Sequence, residues 1–234
     1  MTRTSGRGSV TRTYWAAGSA VGLALLFAVG ATVATAGGTD SAPASSRTPG
    51  LYSADAGFAR DMAVHHQQAV EMSFIVRDRT KDEPVRTLAY DIASTQANQR
   101  GMMLGWLDMW GLPKTVADEP PMSWMGSGGG GDHGAGHAMG GVVTKPGALM
   151  PGMATKEELV QLGSAEGRDA EVLYLRLMTD HHKGGVGMAQ GCATQCVNPA
   201  ERALAQGMVE AQQAELQLMA DMLKQRGADP LAAG

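Results

Sequence analysis

The chain has 234 residues, a formal charge of −4 and only 5% aromatic residues, against 16 Met and 32 Gly. That length allows one or two modest domains once unstructured stretches are set aside, and the slightly acidic balance gives no support for nucleic-acid binding, which needs a basic face or stripe. So many methionines need a physical reason, either irregular core filling or ligation through the thioether sulfur.

Arg3, Arg7 and Arg12 precede an apolar run over residues 15–36 that ends in Ala34-Thr35-Ala36. This pattern predicts an export signal over residues 1–36, with a small-residue cleavage site before Gly37. The run holds about 20 residues, enough to span a bilayer uncleaved, so a retained membrane anchor is the other reading. No Cys lies near its end, which argues against a lipoprotein anchor. On either reading the rest of the chain faces the outside of the cytoplasmic membrane, secreted or periplasmic-like or tethered, and meets the membrane only through this segment. Residues 37–50 are rich in Ser, Ala, Pro and Thr and read as a flexible linker.

Helical periodicity begins at residue 51 and runs to 79, with Phe58, Met62, His65, Ala69 and Met72 at three- and four-residue steps. Pro84 suits the first turn of a second helix reaching Trp110, with Leu88, Ile92, Thr95, Gln99, Met102 and Trp106 on one side. Gly111 and Pro113 mark its stop. Residues 114–154 read as a flexible connection, too poor in branched aliphatics to fold alone. Thr155 and Glu158 form a capping-box pattern opening a short helix to about Leu162. A third long helix is expected from about Arg168 to Gly191 and a fourth from about Pro199 to Arg226.

The two helical stretches are one sequence repeated. Without a gap, Met62 aligns with Met178, His65 with His181, His66 with His182 and Met72 with Met188; the register continues through Gln96/Gln212, Met103/Met219 and Gly111/Gly227. A duplicated hairpin predicts an all-α, pseudo-symmetric four-helix bundle over residues 51–229, with hairpins over 51–113 and 155–229.

The shared motif is Met-x-x-His-His-x-x-x-x-x-Met. Helical spacing puts Met62, His65, His66 and Met72 on one broad face, and Met178, His181, His182 and Met188 on its counterpart. Thioether with imidazole suits Cu(I), and imidazole also suits Cu(II) and Zn(II). Small residues at Ala69 and Gly185 would leave room beside the rings. Gln96, Gln99, Gln212 and Glu215 are placed to hydrogen-bond the imidazoles from neighbouring helices, either as groups orienting metal ligands or as partners of purely structural histidines. In the connection, Met122, Met125, His133, His137, Met139, Met150 and Met153 have no evident core to fill. They read as a metal-capture tract, with compositional drift as the alternative.

Cys192 and Cys196 are the two cysteines. In an exported chain an even count suggests a disulfide; their spacing permits one where a helix frays into a loop, and metal thiolates are the alternative. No Glu-x-x-His of a di-iron bundle, Cys-x-x-Cys-His, nucleophile elbow or phosphate loop occurs. Enzyme activity is not expected.

In the stretches Phe58-Ala-Arg-Asp-Met-Ala-Val-His-His-Gln-Gln-Ala-Val-Glu-Met72 and Leu177-Met-Thr-Asp-His-His-Lys-Gly-Gly-Val-Gly-Met188, the chain resembles the bacterial "domain of unknown function 305" family. Met150-Pro-Gly-Met153 and Val209-Glu-Ala-Gln-Gln-Ala-Glu-Leu-Gln-Leu-Met219 extend the resemblance, which covers residues 51–229. It implies a ferritin-like helical bundle. It also implies a kinship with periplasmic copper-binding proteins, with the eight His and Met residues of the two motifs at the matching positions. The chain departs from the pattern where Gln99 stands opposite Glu215.

These readings leave three functions open: an exported copper-binding protein, Cu(I) favoured; a metal-free envelope scaffold with structural histidines and no cofactor; and a bundle holding non-covalent haem between His and Met.

Overall fold

The computed structural model describes residues 48–128 and 144–229. The export segment, most of the following linker, and His133, His137 and Met139 lie outside the described residues. Five α-helices follow in order: α1 (Ala54–Arg79), α2 (Glu83–Trp110), α3 (Lys156–Ser164), α4 (Gly167–Gln195) and α5 (Pro199–Gln225). A 3₁₀ turn, Ser123–Gly128, lies between α2 and α3. The described residues are all-helical, without strands. None of these helices is long and apolar enough to cross a membrane.

Local chemistry sets each boundary. Ser53 caps α1 by accepting from the Ala56 amide, and Asp82 caps α2 at the Val85 amide with Pro84 just inside. Gly111, at φ 65°, ends α2 in the left-handed conformation that glycine adopts without strain. Thr155 and Glu158 complete a reciprocal capping box on α3. Asn198 accepts from the Ala200 and Glu201 amides to start α5 at Pro199.

α1 pairs with α2, α4 pairs with α5, and the two hairpins meet chiefly through α1 against α4. These two central helices are buried on most sides, whereas α2 and α5 bury one stripe each. On α2 that stripe is Val85, Leu88, Ala89, Ile92, Gln96, Met103 and Leu107. The sequence periodicity favours Thr95 and Met102, which are exposed; packing on α1 selects a face rotated from that one.

The apolar core divides into two clusters. One holds Phe58, Met62, Met103, Leu107, Met150, Met188, Cys192 and Met208. The other holds Met72, Val76, Ile92, Tyr174, Met178, Met219 and Leu223. Met62 of α1 shares a cluster with Met188 of α4, and Met72 with Met178, so the two helices run antiparallel. Their His pairs fall between the clusters.

The described parts of the connection are built into this core, which corrects the expectation of a flexible tract with no core to fill. Trp124, Met150 and Met153 are buried, and Met122 and Met125 pack against the same cluster. Trp124 lies so close over α1 that a side chain at Gly57 would collide with it. The indole N–H donates to Asp61 at 3.0 Å, and the Phe58 and Trp124 rings meet edge to face at 5.9 Å. Packing therefore accounts for these four methionines.

Candidate metal centre

All four paired histidines are fully buried. Each has the same hydrogen-bond pattern. His66 Nε2 lies 2.8 Å from Gln99 Oε1 on α2, and His182 Nε2 lies 2.7 Å from Glu215 Oε2 on α5. These are matching positions of the repeat. At the centre, His181 Nε2 is 2.8 Å from the His65 carbonyl, and His65 Nε2 is 3.3 Å from the Pro151 carbonyl. Each of these partners is an oxygen that only accepts, so every Nε2 carries the proton and donates it. All four Nδ1 atoms are buried with no hydrogen-bond partner.

Burial also keeps the His65, His66 and His181 rings neutral. It is the largest cause holding His65 down at about 4, partly offset by the bond to Pro151. Burial lowers His66 to about 3, with His65 adding to it and Gln99 opposing. His181 is pushed well below the ordinary imidazole range by burial first and by the neighbouring imidazoles next. Neutrality lets the His65 and His181 rings lie with centroids 3.8 Å apart. It is also the state a metal requires of a histidine ligand.

The four motif methionines lie in an arrangement that crosses the repeat. Met62, Met72, Met178 and Met188 are fully buried. Because α1 and α4 are antiparallel, one end of the His layer faces Met62 and Met188 and the other faces Met72 and Met178. Each level thus takes one thioether from each half. Among the described residues, the only three His, Cys, Asp or Glu side chains with donor atoms all within 4.8 Å of one another are Cys192, Cys196 and Glu201. A metal at the histidines would have one or two imidazoles to draw on and would need other donors, of which methionine sulfur suits a soft ion.

Of the four residues expected to orient the rings, Gln99 and Glu215 do so. Gln96 and Gln212 are buried, but their amide atoms bond to nothing. The space left by Gly185 is filled by the Gln212 amide, whose Oε1 lies 2.5 Å from where a Cβ would stand; it does not open beside the imidazoles.

Sequence reasoning missed the clamp on His65. Residues 150–153 lie across α4, and a Cβ at Gly184 would collide with the Pro151 carbonyl, as one at Gly152 (φ 79°) would with the Asp180 carbonyl. Gln68 fastens the strap on its other side, donating to the Ala154 carbonyl at 2.9 Å and accepting from its amide at 2.7 Å. The adjacent glycines Gly184-Gly185 were the available signal. Asp61 is likewise turned from the histidines to the connection: it accepts from the Met122 amide and Trp124, while burial raises its carboxyl.

Comparison with solved structures finds relatives of this shape. A candidate secreted DUF305 protein from Streptomyces coelicolor is 58% identical, with a TM-score of 0.67 over 79% of this chain and 99% of that one. A DUF305 fragment from Deinococcus radiodurans is 27% identical, with a TM-score of 0.58 over 76% and 99%. CopM in its Cu(I)-bound form is 22% identical, with a TM-score of 0.51 over 73% and 96%, a likeness of fold. No curated protein matches. The family profile of the domain of unknown function DUF305 matches residues 55–223. Fold, repeat and match together make this chain a member of the DUF305 family.

Proposed function

We propose that this protein is an exported, non-catalytic binder of a soft metal ion, Cu(I) foremost, that buffers or delivers copper outside the cytoplasmic membrane. One observation carries the reading: four buried imidazoles, each with Nε2–H donated to an oxygen and Nδ1 left without a partner. A buried acceptor with no donor costs roughly 1–3 kcal/mol. Four in one layer, flanked by four thioethers, suit a metal that they would hold. The oxygens on Nε2 would orient the rings and raise their basicity. CopM, of the same fold, is known in Cu(I)-, Cu(II)- and Ag-bound forms, which supports the choice of ion. The basic and apolar N-terminus and the Streptomyces coelicolor relative support export.

The test is an anaerobic Cu(I) competition titration of residues 37–234. Beside the parent stand a variant with His65, His66, His181 and His182 changed to Ala, and one with Met62, Met72, Met178 and Met188 changed to Leu. The Leu variant keeps the core volume nearly intact. Tight binding by the parent that drops in both variants is the expected result. Tight binding unchanged in both would move the site to the methionines and histidines of the connection.

The second reading, a metal-free scaffold, draws on the methionines, which are as well buried as any core side chain. Absence of Cu(I) binding by the parent would establish it.

A further inference from the structure

At the far end of the bundle from α3, the start of α5 packs against the end of α4. Cys192 lies on the last turns of α4, and Cys196 is the first residue beyond it. They are joined in a disulfide. Glu201 lies in the first turn of α5 and is completely buried, as is Cys192, while Cys196 is exposed by only 2%. The two sulfurs and a Glu201 oxygen lie within 4.8 Å of one another.

Neither the capping of α5 nor the backbone bonds of the α4–α5 link fall to this carboxyl. Capping of α5 is done by Asn198, which takes the Ala200 and Glu201 amides. The link between α4 and α5 is held by Asp55, which accepts from the Val197 amide at 3.0 Å and the Asn198 amide at 2.7 Å. No N–H of the described residues donates to either Glu201 oxygen; the group facing it is the Asp55 carboxylate, to which Glu201 in its protonated form donates. Two buried carboxyls side by side do not both ionise unaided, and a cation on the sulfur side of Glu201 would let its carboxyl ionise.

We propose that Cys192, Cys196 and Glu201 form a metal site of their own for a thiophilic divalent cation of the zinc class, closed while the disulfide stands and opened by its reduction. Two thiolates and a carboxylate are a zinc-type donor set, whereas Cu(I) would use the sulfurs alone. A dithiol donor reduces the bridge by exchange: two electrons and two protons pass to the Cys sulfurs, and the donor leaves as its own disulfide. The cation then displaces both thiol protons to solvent, and Glu201 binds as the carboxylate. The site is built from groups other than the histidines and methionines of the centre, and it stands or falls separately.

Co(II) is the probe, because sulfur-to-cobalt charge-transfer absorption comes from thiolate ligands and not from imidazole. The protein is reduced in urea with a water-soluble phosphine, which takes the oxygen of one water while both hydrogens go to the sulfurs. It is then refolded without air, freed of phosphine and titrated. One Co(II) per reduced chain with the charge-transfer band, and no band in the oxidised protein, is the expected result. Glu201→Gln should keep the band but weaken Co(II) at least about tenfold, as loss of a ligand does, and Cys196→Ser should remove most of it. Zn(II) should displace the cobalt. No band in a refolded reduced chain, equal affinity in Glu201→Gln, or a reduced chain that does not regain its helical circular dichroism each overturns the proposal.

Discussion

His66 and His182 differ in one partner: an amide oxygen of Gln99 for one, a carboxylate of Glu215 for the other. A carboxylate on Nε2–H makes Nδ1 the more basic donor, and losing such a partner typically weakens a metal about 10–100-fold. Glu215→Gln should therefore weaken Cu(I) binding by about tenfold, while Gln99→Glu strengthens the other half; the anaerobic competition titration reads both. At Gly184 the constraint is steric. A methyl group there meets the Pro151 carbonyl, which is backbone and cannot rotate away. Gly184→Ala should cost about 2–3 kcal/mol in urea unfolding, as overpacking does, and should disturb His65 through the displaced carbonyl.

Between elements, the end of the bundle opposite the disulfide is tied by Arg226, at the end of α5. It binds Glu171 of α4 at 2.7 Å and Asp82, the cap of α2, at 2.8 Å. Glu171 also accepts from Thr80, the cap of α1, at 2.5 Å. One guanidinium therefore joins the ends of four helices from both hairpins. The Arg226 and Glu171 side chains are about nine-tenths buried, so Arg226→Ala leaves two carboxylates without their partner. It should cost about 2–4 kcal/mol in urea unfolding, far more than Lys224→Ala on the exposed pair with Asp221.

For the whole molecule, buried titrating groups of opposite tendency set the pH range of stability. Folded His65 and His66 stay neutral down to about 4 and about 3, against 6.5 when unfolded. As pH falls below 6.5 the unfolded chain takes up protons first, so stability present above 6.5 is lost towards pH 4. Glu201 runs the other way. Burial, and then the Asp55 carboxylate, hold its pKa up at about 9 against 4.5. The folded state keeps a proton that the unfolded state releases, so stability falls as pH rises through that interval. Each group contributes about 1.4 kcal/mol per pH unit in its window. The metal-free, oxidised protein should have its highest thermal midpoint between about pH 6 and 7. In Glu201→Gln the alkaline decline should flatten and the acid limb remain; an unchanged alkaline limb would show that Glu201 is not its source.

The chain order already holds the repeat, the helices and most of their ends, because caps, stops and periodicity depend on residues within a few positions of one another. The histidines and methionines were legible as a motif for the same reason: a helix places residues three and four apart on one face. Which half supplies which donor was not legible. The antiparallel crossing of α1 and α4 sets Met62 in one cluster with Met188 and Met72 in the other with Met178, and brings the His65 and His181 rings together at a tilt of 35°. The roles of Met150 and Met153 were hidden by neighbours poor in aliphatics; their burial comes from α1 and α4, not from the connection itself. Pro151 as the partner of His65, and Glu201 beside the cysteines, depend on contacts between distant segments, which follow from how two similar hairpins pack rather than from any local pattern.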